Sequence, residues 1–261
     1  MIKIIKTLLY LTSTILCVIF ITGCEKDSEP VSNLNETDTT ITDVDGNVYK
    51  KVIIGDQTWM AENLKTTKYL DGTEIPNVTD NTQWCEIRTP AYCWYENEPA
   101  YKDPYGAIYN WYTVQTDKLC PSGWHVSTDD DWTQLEIYLQ NHGYNYNGTI
   151  DTDDDRETNN FIAKALATKT NWAFSANEGT VGNTDYPEFR NKTGFNAIPG
   201  GFRDGGDGQF KSINHELYYH TSTELVAYSS IQRQITSYTS NVIRTWGGEM
   251  NGFSVRCIKD E

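Results

Sequence analysis

The sequence predicts an α+β fold, in which two helices from the middle of the chain pack with short, twisted antiparallel strands. Residues 128–141 carry Trp132, Leu135 and Leu139 at spacings of three and four, which is the periodicity of an amphipathic helix. A second helix fits residues 159–169, "NNFIAKALATK". The rest of the chain alternates over short stretches between glycine-rich turns, as strands do. Helices and strands that are segregated in this way favour an α+β domain.

The first predicted helix begins with a capping box. Thr128 and Asp131 are three residues apart, so each side chain can accept a hydrogen bond from the backbone of the other residue. Gly143 ends the helix. The aspartates 129–131 therefore occupy its first turn, where exposed amides and the helix dipole favour negative charge. Although "LCPSGWHVSTDDDW" combines a cysteine, His125 and three aspartates, we interpret this cluster as structural rather than catalytic.

The other elements follow from shorter patterns. The second helix has Asn159 as its cap, and its apolar face consists of Phe161, Ile162, Ala165 and Leu166. "NVYKKVIIGDQTWM" alternates and then turns at Gly55 and Asp56, which predicts a hairpin. "FRDGGDGQF" has paired glycines between apolar flanks and predicts another turn, and "GFSVRCIKD" closes the chain as a short strand.

The N-terminal segment is typical of an export signal. Two lysines precede an apolar run that is too short to span a bilayer. The run ends in Ile-Thr-Gly-Cys, residues 21–24, which resembles a bacterial lipobox, although Ile21 replaces the preferred leucine. We therefore expect residues 1–23 to be a lipoprotein signal peptide and Cys24 to be the lipid attachment site, which tethers the protein to a membrane.

Residues 24–41 are typical of a flexible stalk, because they are acidic, rich in Ser, Thr and Asn, and almost free of large apolar residues. Their early cluster "EKDSE" is similar to the charged export signal of surface-exposed lipoproteins in the Bacteroidota. We expect a protein of the cell envelope, anchored to the outer membrane and exposed at the surface. Residues 42–261 are long enough for one domain with a substantial core.

The chain is strongly acidic, with 21 basic and 36 acidic residues and a formal charge of −15. Residues 1–23 hold two lysines and no acidic residue, so their removal leaves a formal charge of −17. Such a surface keeps an exposed protein soluble and repels phosphate backbones. The composition therefore argues against nucleic acid as a partner.

Four cysteines remain outside the signal peptide and the lipid anchor, an even number that predicts disulfides in an exported protein. They are Cys85, Cys93, Cys120 and Cys257, and they allow three connectivities. The short segment "CEIRTPAYC" favours a local bridge between Cys85 and Cys93, which leaves Cys120 with Cys257. On the chain-entropy model, the longer bridge would stabilise the fold by about 5 kcal/mol.

Several long motifs carry a family resemblance. They are "DVDGNVYKKVIIGDQTWMAENLKTTKYLDGTEIP", "YGAIYNWYTV", "LCPSGWHVSTDDDW", "GFNAIPGGFRDGGDGQF" and "GFSVRCIKD". In this order they resemble the Fibrobacter succinogenes major paralogous (FISUMP) domain, from about Thr42 to Asp260. Members are exported bacterial proteins, often lipoproteins, of largely undefined activity.

The resemblance also implies a fold similar to the C-type lectin-like and formylglycine-generating-enzyme folds. In such folds a disulfide commonly joins a helix near the start to the last strand, which suits Cys120 with Cys257. One departure lies in "YYHTSTE", where His220 and Thr221 replace a Trp-Ser pair that is common in the family. We therefore carry over no binding role from the family to that position.

Calcium-dependent sugar binding has little support in the sequence. The Glu-Pro-Asn or Gln-Pro-Asp loop and the Trp-Asn-Asp strand of calcium-binding lectins are both absent. Asp151, Asp153 and Asp155 are spaced as in an EF-hand loop, but Arg156 and Ile162 stand where that loop needs glycine and glutamate. We expect no metal and no other cofactor, with this acidic loop as the alternative calcium site.

A catalytic function has even less support in the sequence than calcium-dependent sugar binding. Formylglycine-generating enzymes use a pair of reactive cysteines near the C-terminus, where this chain has only Cys257. "HELYYH" has one residue more than the zinc motif His-Glu-x-x-His, so its histidines cannot face one ion together. A thiol protease needs a free cysteine, which the pairing of all four cysteines would forbid. We therefore expect no enzymatic activity.

The sequence favours a non-catalytic binding module for an extracellular glycan or protein. Its 17 tyrosines and 8 tryptophans are many, and aromatic faces stack on sugar rings and anchor protein interfaces. From the glycine-rich C-terminal half we name Arg203, Tyr219 and Trp246 as a candidate ligand surface. A structural component of the cell envelope without a soluble ligand is the alternative, and an enzyme related to the formylglycine-generating enzymes comes third.

Overall fold

Two antiparallel sheets organise the domain. The computed structural model describes residues 39–150 and 160–261, and Asp38–Glu261 forms one compact unit. The predicted signal peptide, Cys24, Asn159 and the acidic loop that begins at Asp151 lie outside the described residues. Mixed helices and antiparallel strands confirm the α+β prediction.

The helices of the described part are α1 (Asn81–Glu86), α2 (Lys102–Tyr105), α3 (Trp111–Val114), α4 (Asp129–Asn141) and α5 (Ala163–Leu166). The strands of its first half are β1 (Thr40–Thr42), β2 (Val48–Ile54), β3 (Gln57–Met60), β4 (Tyr92–Cys93), β5 (Ile108–Tyr109) and β6 (Trp124–Val126). Those of its second half are β7 (Phe202–Arg203), β8 (Phe210–Lys211), β9 (Glu216–Val226), β10 (Ser229–Thr236), β11 (Ile243–Gly248) and β12 (Cys257–Lys259).

The larger sheet has five strands in the order β1-β2-β3-β12-β6. The predicted hairpin is confirmed as β2 and β3, with Val52 opposite Trp59 and Gly55 at a φ of 62° in the turn. The last strand, β12, lies between β3 and β6, so both ends of the domain meet in one sheet. The strand β1 begins at Thr40, within the last two residues of the predicted stalk.

A second sheet has three strands in the order β11-β10-β9, and β4-β5 and β7-β8 form two-stranded sheets. The helix α4 packs between the two sheets, because the ring centroid of Trp132 lies 5.3 Å from that of Trp59 in β3 and 5.3 Å from that of Tyr219 in β9. Leu135 and Leu139 of the same helix are fully buried in this cluster. The core between the sheets is therefore built around one helix face, as the spacing of its apolar residues predicts.

The two predicted helices have different outcomes. The first is confirmed as α4, with Thr128 as its N-cap and a complete capping box to Asp131. The second is wrong in length, since α5 has only four residues. The chain leaves that helix because Ala167 forms a bridge to Ala197 and the N–H of Thr168 donates to the Ala197 carbonyl. Local propensity yields here to a long-range backbone pairing.

One of the two expected disulfides is present. Cys120 and Cys257 are bonded, and their bridge joins the segment before β6 to the last strand. The expected bridge between Cys85 and Cys93 is wrong, because both are free thiols. Cys93 is buried in the apolar cluster that surrounds β4, whereas Cys85 lies on α1, a helix whose single buried residue is its neighbour Trp84. The residues between them fold as the end of α1 and an extended segment.

No helix in the described part of the chain is long and apolar enough to cross a membrane.

Candidate ligand-binding surface

The outer end of the three-stranded sheet exposes apolar side chains. The strands β9 and β10 are joined by the two residues Ala227 and Tyr228. Around this turn the exposed fractions are 43% for Leu225, 62% for Val226 and 77% for Tyr228. Val226, Ser229 and Gly248 pair across the three strands, so this turn and the end of β11 form one edge of the molecule.

Trp246 on β11 belongs to the same surface, with an exposed fraction of 63%. It pairs with Ile231 on β10 and therefore shares a sheet face with Ser229 and Val226. Six of the other tryptophans are buried, and Trp172 is half-buried against the core. We call Leu225, Val226, Tyr228 and Trp246 the tip patch. Of the three predicted surface residues, Trp246 is the one that the structure places at the surface.

An irregularity in β9 holds this end of the sheet against α4. Ser230 pairs with Glu224 and Gln232 pairs with His220, so residues 221–223 stand opposite Ile231 alone. Within this bulge, the N–H of Ser222 donates to the Ser127 carbonyl at 3.0 Å. The Thr223 hydroxyl accepts from the N–H of Asp129 at 2.9 Å. These two hydrogen bonds therefore fix the strand segment just before the tip patch to the start of α4.

A buried ionic cluster lies beneath the tip patch. Arg233 on β10 is fully buried and donates to Asp129 at 2.8 Å and to Glu136 at 2.6 Å. Arg244 on β11 binds the same Asp129 through two contacts of 2.9 Å. Burial raises the pKa of Asp129, but the two guanidinium groups outweigh it and hold that pKa below its usual value. Burial raises the pKa of Glu136 despite the nearby Arg233.

The prediction that Arg203 faces a ligand is wrong, because its side chain is fully buried. Its guanidinium donates to the carbonyls of Val78 at 2.6 Å and Gly208 at 2.9 Å. The same group stacks on Trp84, with 4.4 Å from Cζ to the ring centroid. Arg203 therefore fixes the loop between β7 and β8 to the rest of the domain. Its guanidinium binds carbonyl groups and an aromatic ring of the protein itself.

The same correction applies to Tyr219, which is fully buried in the core beside Trp132. Its hydroxyl donates to Asn63 at 3.0 Å and accepts from the buried Arg256 at 2.7 Å. Burial raises the pKa of Tyr219, although Arg256 opposes this effect. Position in a glycine-rich half of the chain does not distinguish such a core residue from a surface one.

His125 lines an open cleft of about 270 Å³ together with Asp56, Asp131 and Asp260. Its Nδ1 lies 2.7 Å from Asp260 and its Nε2 lies 3.2 Å from Asp131. The hydrogen bond to Asp131 raises the pKa of His125 to about 9, burial opposes this shift, and the bond to Asp260 adds to it. Since both ring nitrogens are engaged by neighbouring carboxylates, the cluster ties the end of the chain to α4.

The described part of the chain has two free thiols, Cys85 and Cys93, and the two histidines of "HELYYH". Cys85 and Cys93 are not paired, contrary to the prediction. Burial raises the pKa of Cys93 to about 12 and also raises that of Cys85, so both thiols are weak nucleophiles near neutral pH. His215 is exposed and precedes β9, whereas His220 is fully buried within it. In the residues that the structure describes, no cluster of three or more metal-ligating side chains occurs.

Sequence reasoning missed Leu225, Val226 and Tyr228. The signal was an apolar stretch, "LVAY", between two alternating segments, where a hairpin turn usually carries Asn, Asp or Gly. Tyr228 has a φ of 67°, a left-handed conformation that is rare for a bulky residue. Such a turn places aromatic and aliphatic side chains in solvent instead of minimising strain.

Comparison with known proteins places the chain in one family. Residues 52–259 match the family model described as the Fibrobacter succinogenes major domain, in agreement with the resemblance of the sequence motifs. No curated protein and no solved structure matches the chain.

Proposed function

The chain belongs to the Fibrobacter succinogenes major domain family. We propose that it is a non-catalytic binding module that binds an uncharged extracellular glycan through the tip patch. One observation carries this proposal: Trp246 and the adjacent turn expose large apolar side chains to solvent. Contiguous apolar residues at a protein surface are typical of interaction sites.

The aromatic members of the tip patch fit a sugar ring. The flat faces of Trp246 and Tyr228 can stack on the apolar face of a pyranose, and their polar atoms can bond to its hydroxyls. Anionic glycans are disfavoured, because the chain has a formal charge of −15 and Glu224 beside the turn is exposed. An uncharged glycan is therefore the ligand that best fits the chemistry of this surface.

The finer fold belongs to the same proposal. We place the domain with the C-type lectin-like and formylglycine-generating-enzyme-like folds. The insertion of β12 beside the first hairpin and the disulfide between Cys120 and Cys257 support this placement. Lipid attachment at Cys24, a stalk and a position at the outer membrane surface would present the tip patch to ligands outside the cell.

The first experiment tests the tip patch directly. We would measure binding of the full chain, purified in detergent micelles, to a panel of uncharged plant, host and bacterial polysaccharides, with calcium and with chelator. We expect saturable binding that Trp246→Ala weakens at least tenfold, as loss of an aromatic anchor does. Binding should be indifferent to chelator, whereas loss with chelator would point instead to the acidic loop at Asp151.

A matched control is available at the opposite end of the same sheet. Phe174 has an exposed fraction of 76%. It precedes Ser175, whose N–H donates to Gly182, and the Gly182 N–H donates to Ser237 just beyond the end of β10. Phe174→Ala removes an exposed aromatic ring far from the turn and should leave binding unchanged. Equal losses in Trp246→Ala and Phe174→Ala, or no binding to any polysaccharide, would contradict the proposal.

A second candidate is attachment to another envelope protein. The aliphatic side chains of Leu225 and Val226 favour it, since such groups are typical of protein interfaces. Here Val226→Asp should release a defined envelope partner that the Phe174→Ala variant retains. This outcome, together with no binding to polysaccharides, would replace the glycan by a protein ligand.

A further inference from the structure

A second cavity lies beside the bulge of β9. Its volume is about 230 Å³, and it is more enclosed than the cleft of about 270 Å³ that also borders His125. We call it the Trp124 pocket, and its lining includes Asp117, Leu119, Trp124, His125, Thr128 and Ser222. It therefore combines an aromatic and aliphatic wall with several polar groups, the composition of a small-ligand site.

Two of its polar groups have no internal partner. The hydroxyls of Thr128 and Ser222 are already bonded to Asp131 and to the Val126 carbonyl. In contrast, neither the Asp117 carboxylate nor the indole N–H of Trp124 makes a hydrogen bond or ion pair within residues 39–150 and 160–261. One acceptor and one donor thus remain available to a ligand's hydroxyl groups.

The pocket is close to the tip patch. Trp246 pairs with Ile231, and Ile231 stands opposite the bulge at residues 221–223, so the three lie in one row across the sheet. Two interstrand spacings separate the Cα atoms of Trp246 and the bulge by about 10 Å. Ser222 of the bulge lines the pocket. A short oligosaccharide can span this distance.

We propose that the Trp124 pocket is a second subsite for the same uncharged glycan, in which the Asp117 carboxylate and the Trp124 N–H bind the hydroxyls of one sugar residue while another residue stacks on Trp246. This inference rests on the proposed function and extends it from a single platform to an extended site. A carboxylate that accepts from hydroxyls favours a neutral sugar, since a uronic acid would meet a like charge. The two positions together select chains over single sugars.

The test uses uncharged gluco- and manno-oligosaccharides of increasing length and the detergent-purified full chain. The affinity should rise with the length of the oligosaccharide and increase sharply once the oligosaccharide is long enough to reach the pocket. Asp117→Gly should remove about tenfold of that increase, which corresponds to one charged hydrogen bond, and leave the shortest ligands unaffected. Asp117 has a φ of 55°, which glycine adopts without strain, so this variant should fold normally.

Two further variants make the result interpretable. Glu96→Gly is the matched control, because Glu96 is also an exposed acid, with a φ of 51°, and lies outside the pocket. Trp124→Phe keeps an aromatic wall but removes the donor, and should lower affinity for the longer ligands only. If Trp246→Ala abolishes binding while Asp117→Gly and Trp124→Phe match the unaltered chain at every length, the second subsite is wrong and the tip patch stands. If the unaltered chain binds no oligosaccharide, both proposals fail.

Discussion

The inner and outer parts of the three-stranded sheet have different roles. In the inner part, Tyr219, Arg233 and Ile235 are fully buried between the sheet and α4. At the outer end, Tyr228 and Trp246 stand mostly in solvent. The same strands therefore supply both core and surface, since a tyrosine is buried at one end of the sheet and another is exposed at the other. Residue type alone is a poor guide to which part of this sheet binds a ligand.

The largest expected effect lies in the inner part. Arg233→Met removes the guanidinium that neutralises Asp129 and Glu136, and leaves two buried carboxylates with less compensation. We expect the free energy of unfolding to fall by about 3–5 kcal/mol, the usual cost of breaking a buried pair. Urea unfolding followed by tryptophan fluorescence measures this change.

Arg244 provides the matched control for that prediction. It binds the same Asp129, but 21% of its side chain is exposed, so water replaces part of the lost interaction. Arg244→Met should therefore cost clearly less than Arg233→Met. Equal losses in the two variants would show that burial does not set the energetics of this cluster, and would break the contrast between the two parts of the sheet.

At the outer end we expect a change of opposite sign. Tyr228 adopts a left-handed conformation and has an exposed fraction of 77%. Its backbone is therefore strained, and burial of its side chain does not offset that strain. Tyr228→Asn should raise the free energy of unfolding by about 0.5–1 kcal/mol, because asparagine tolerates this conformation, and should weaken glycan binding. Thermal unfolding and a binding titration on the same sample measure both effects.

Tyr186 tests whether the conformation or the side chain matters. It too has a positive φ, of 48°, but its ring lies 5.0 Å from that of Tyr146 and its hydroxyl donates to Glu178 at 2.5 Å. Tyr186→Asn should therefore destabilise the fold or leave it unchanged. A stabilised Tyr186→Asn, or a destabilised Tyr228→Asn, would remove the argument that the turn is shaped for binding at the expense of stability.

What the sequence could predict was local. The capping box at Thr128, the hairpin turn at Gly55 and the α+β class follow from patterns within a few residues, and each is present. The short α5 could not be predicted, because a bridge from Ala167 to a residue thirty positions away decides where it ends.

The candidate site divides in the same way. Trp246 was named as an aromatic residue of the glycine-rich C-terminal half and lies at the surface, but the burial of Arg203 depends on carbonyls and rings that the fold brings from distant segments. An arginine is ordinarily a surface residue, so the sequence favoured an exposed position for Arg203. The free thiol of Cys93 has a related cause, since its burial within the cluster around β4 could not be derived from its spacing to Cys85.

The smallest expected effect concerns His125, which supports the start of α4 beneath the tip patch without touching it. Its pKa is raised from 6.5 to about 9 in the folded protein, mainly by the hydrogen bond to Asp131. A raised pKa means that the folded state binds the proton more tightly, so this stabilisation is complete below pH 6.5 and is lost as the pH rises through about 9.

The unfolding free energy of the unaltered chain minus that of His125→Gln should therefore be larger at pH 6 than at pH 10, where lysines and tyrosines titrate equally in both proteins. Because 40% of the side chain is exposed, salt should shrink the difference at pH 6. A difference that is independent of pH would mean that His125 contributes by packing alone, and that the carboxylates on either side of it do not hold its proton.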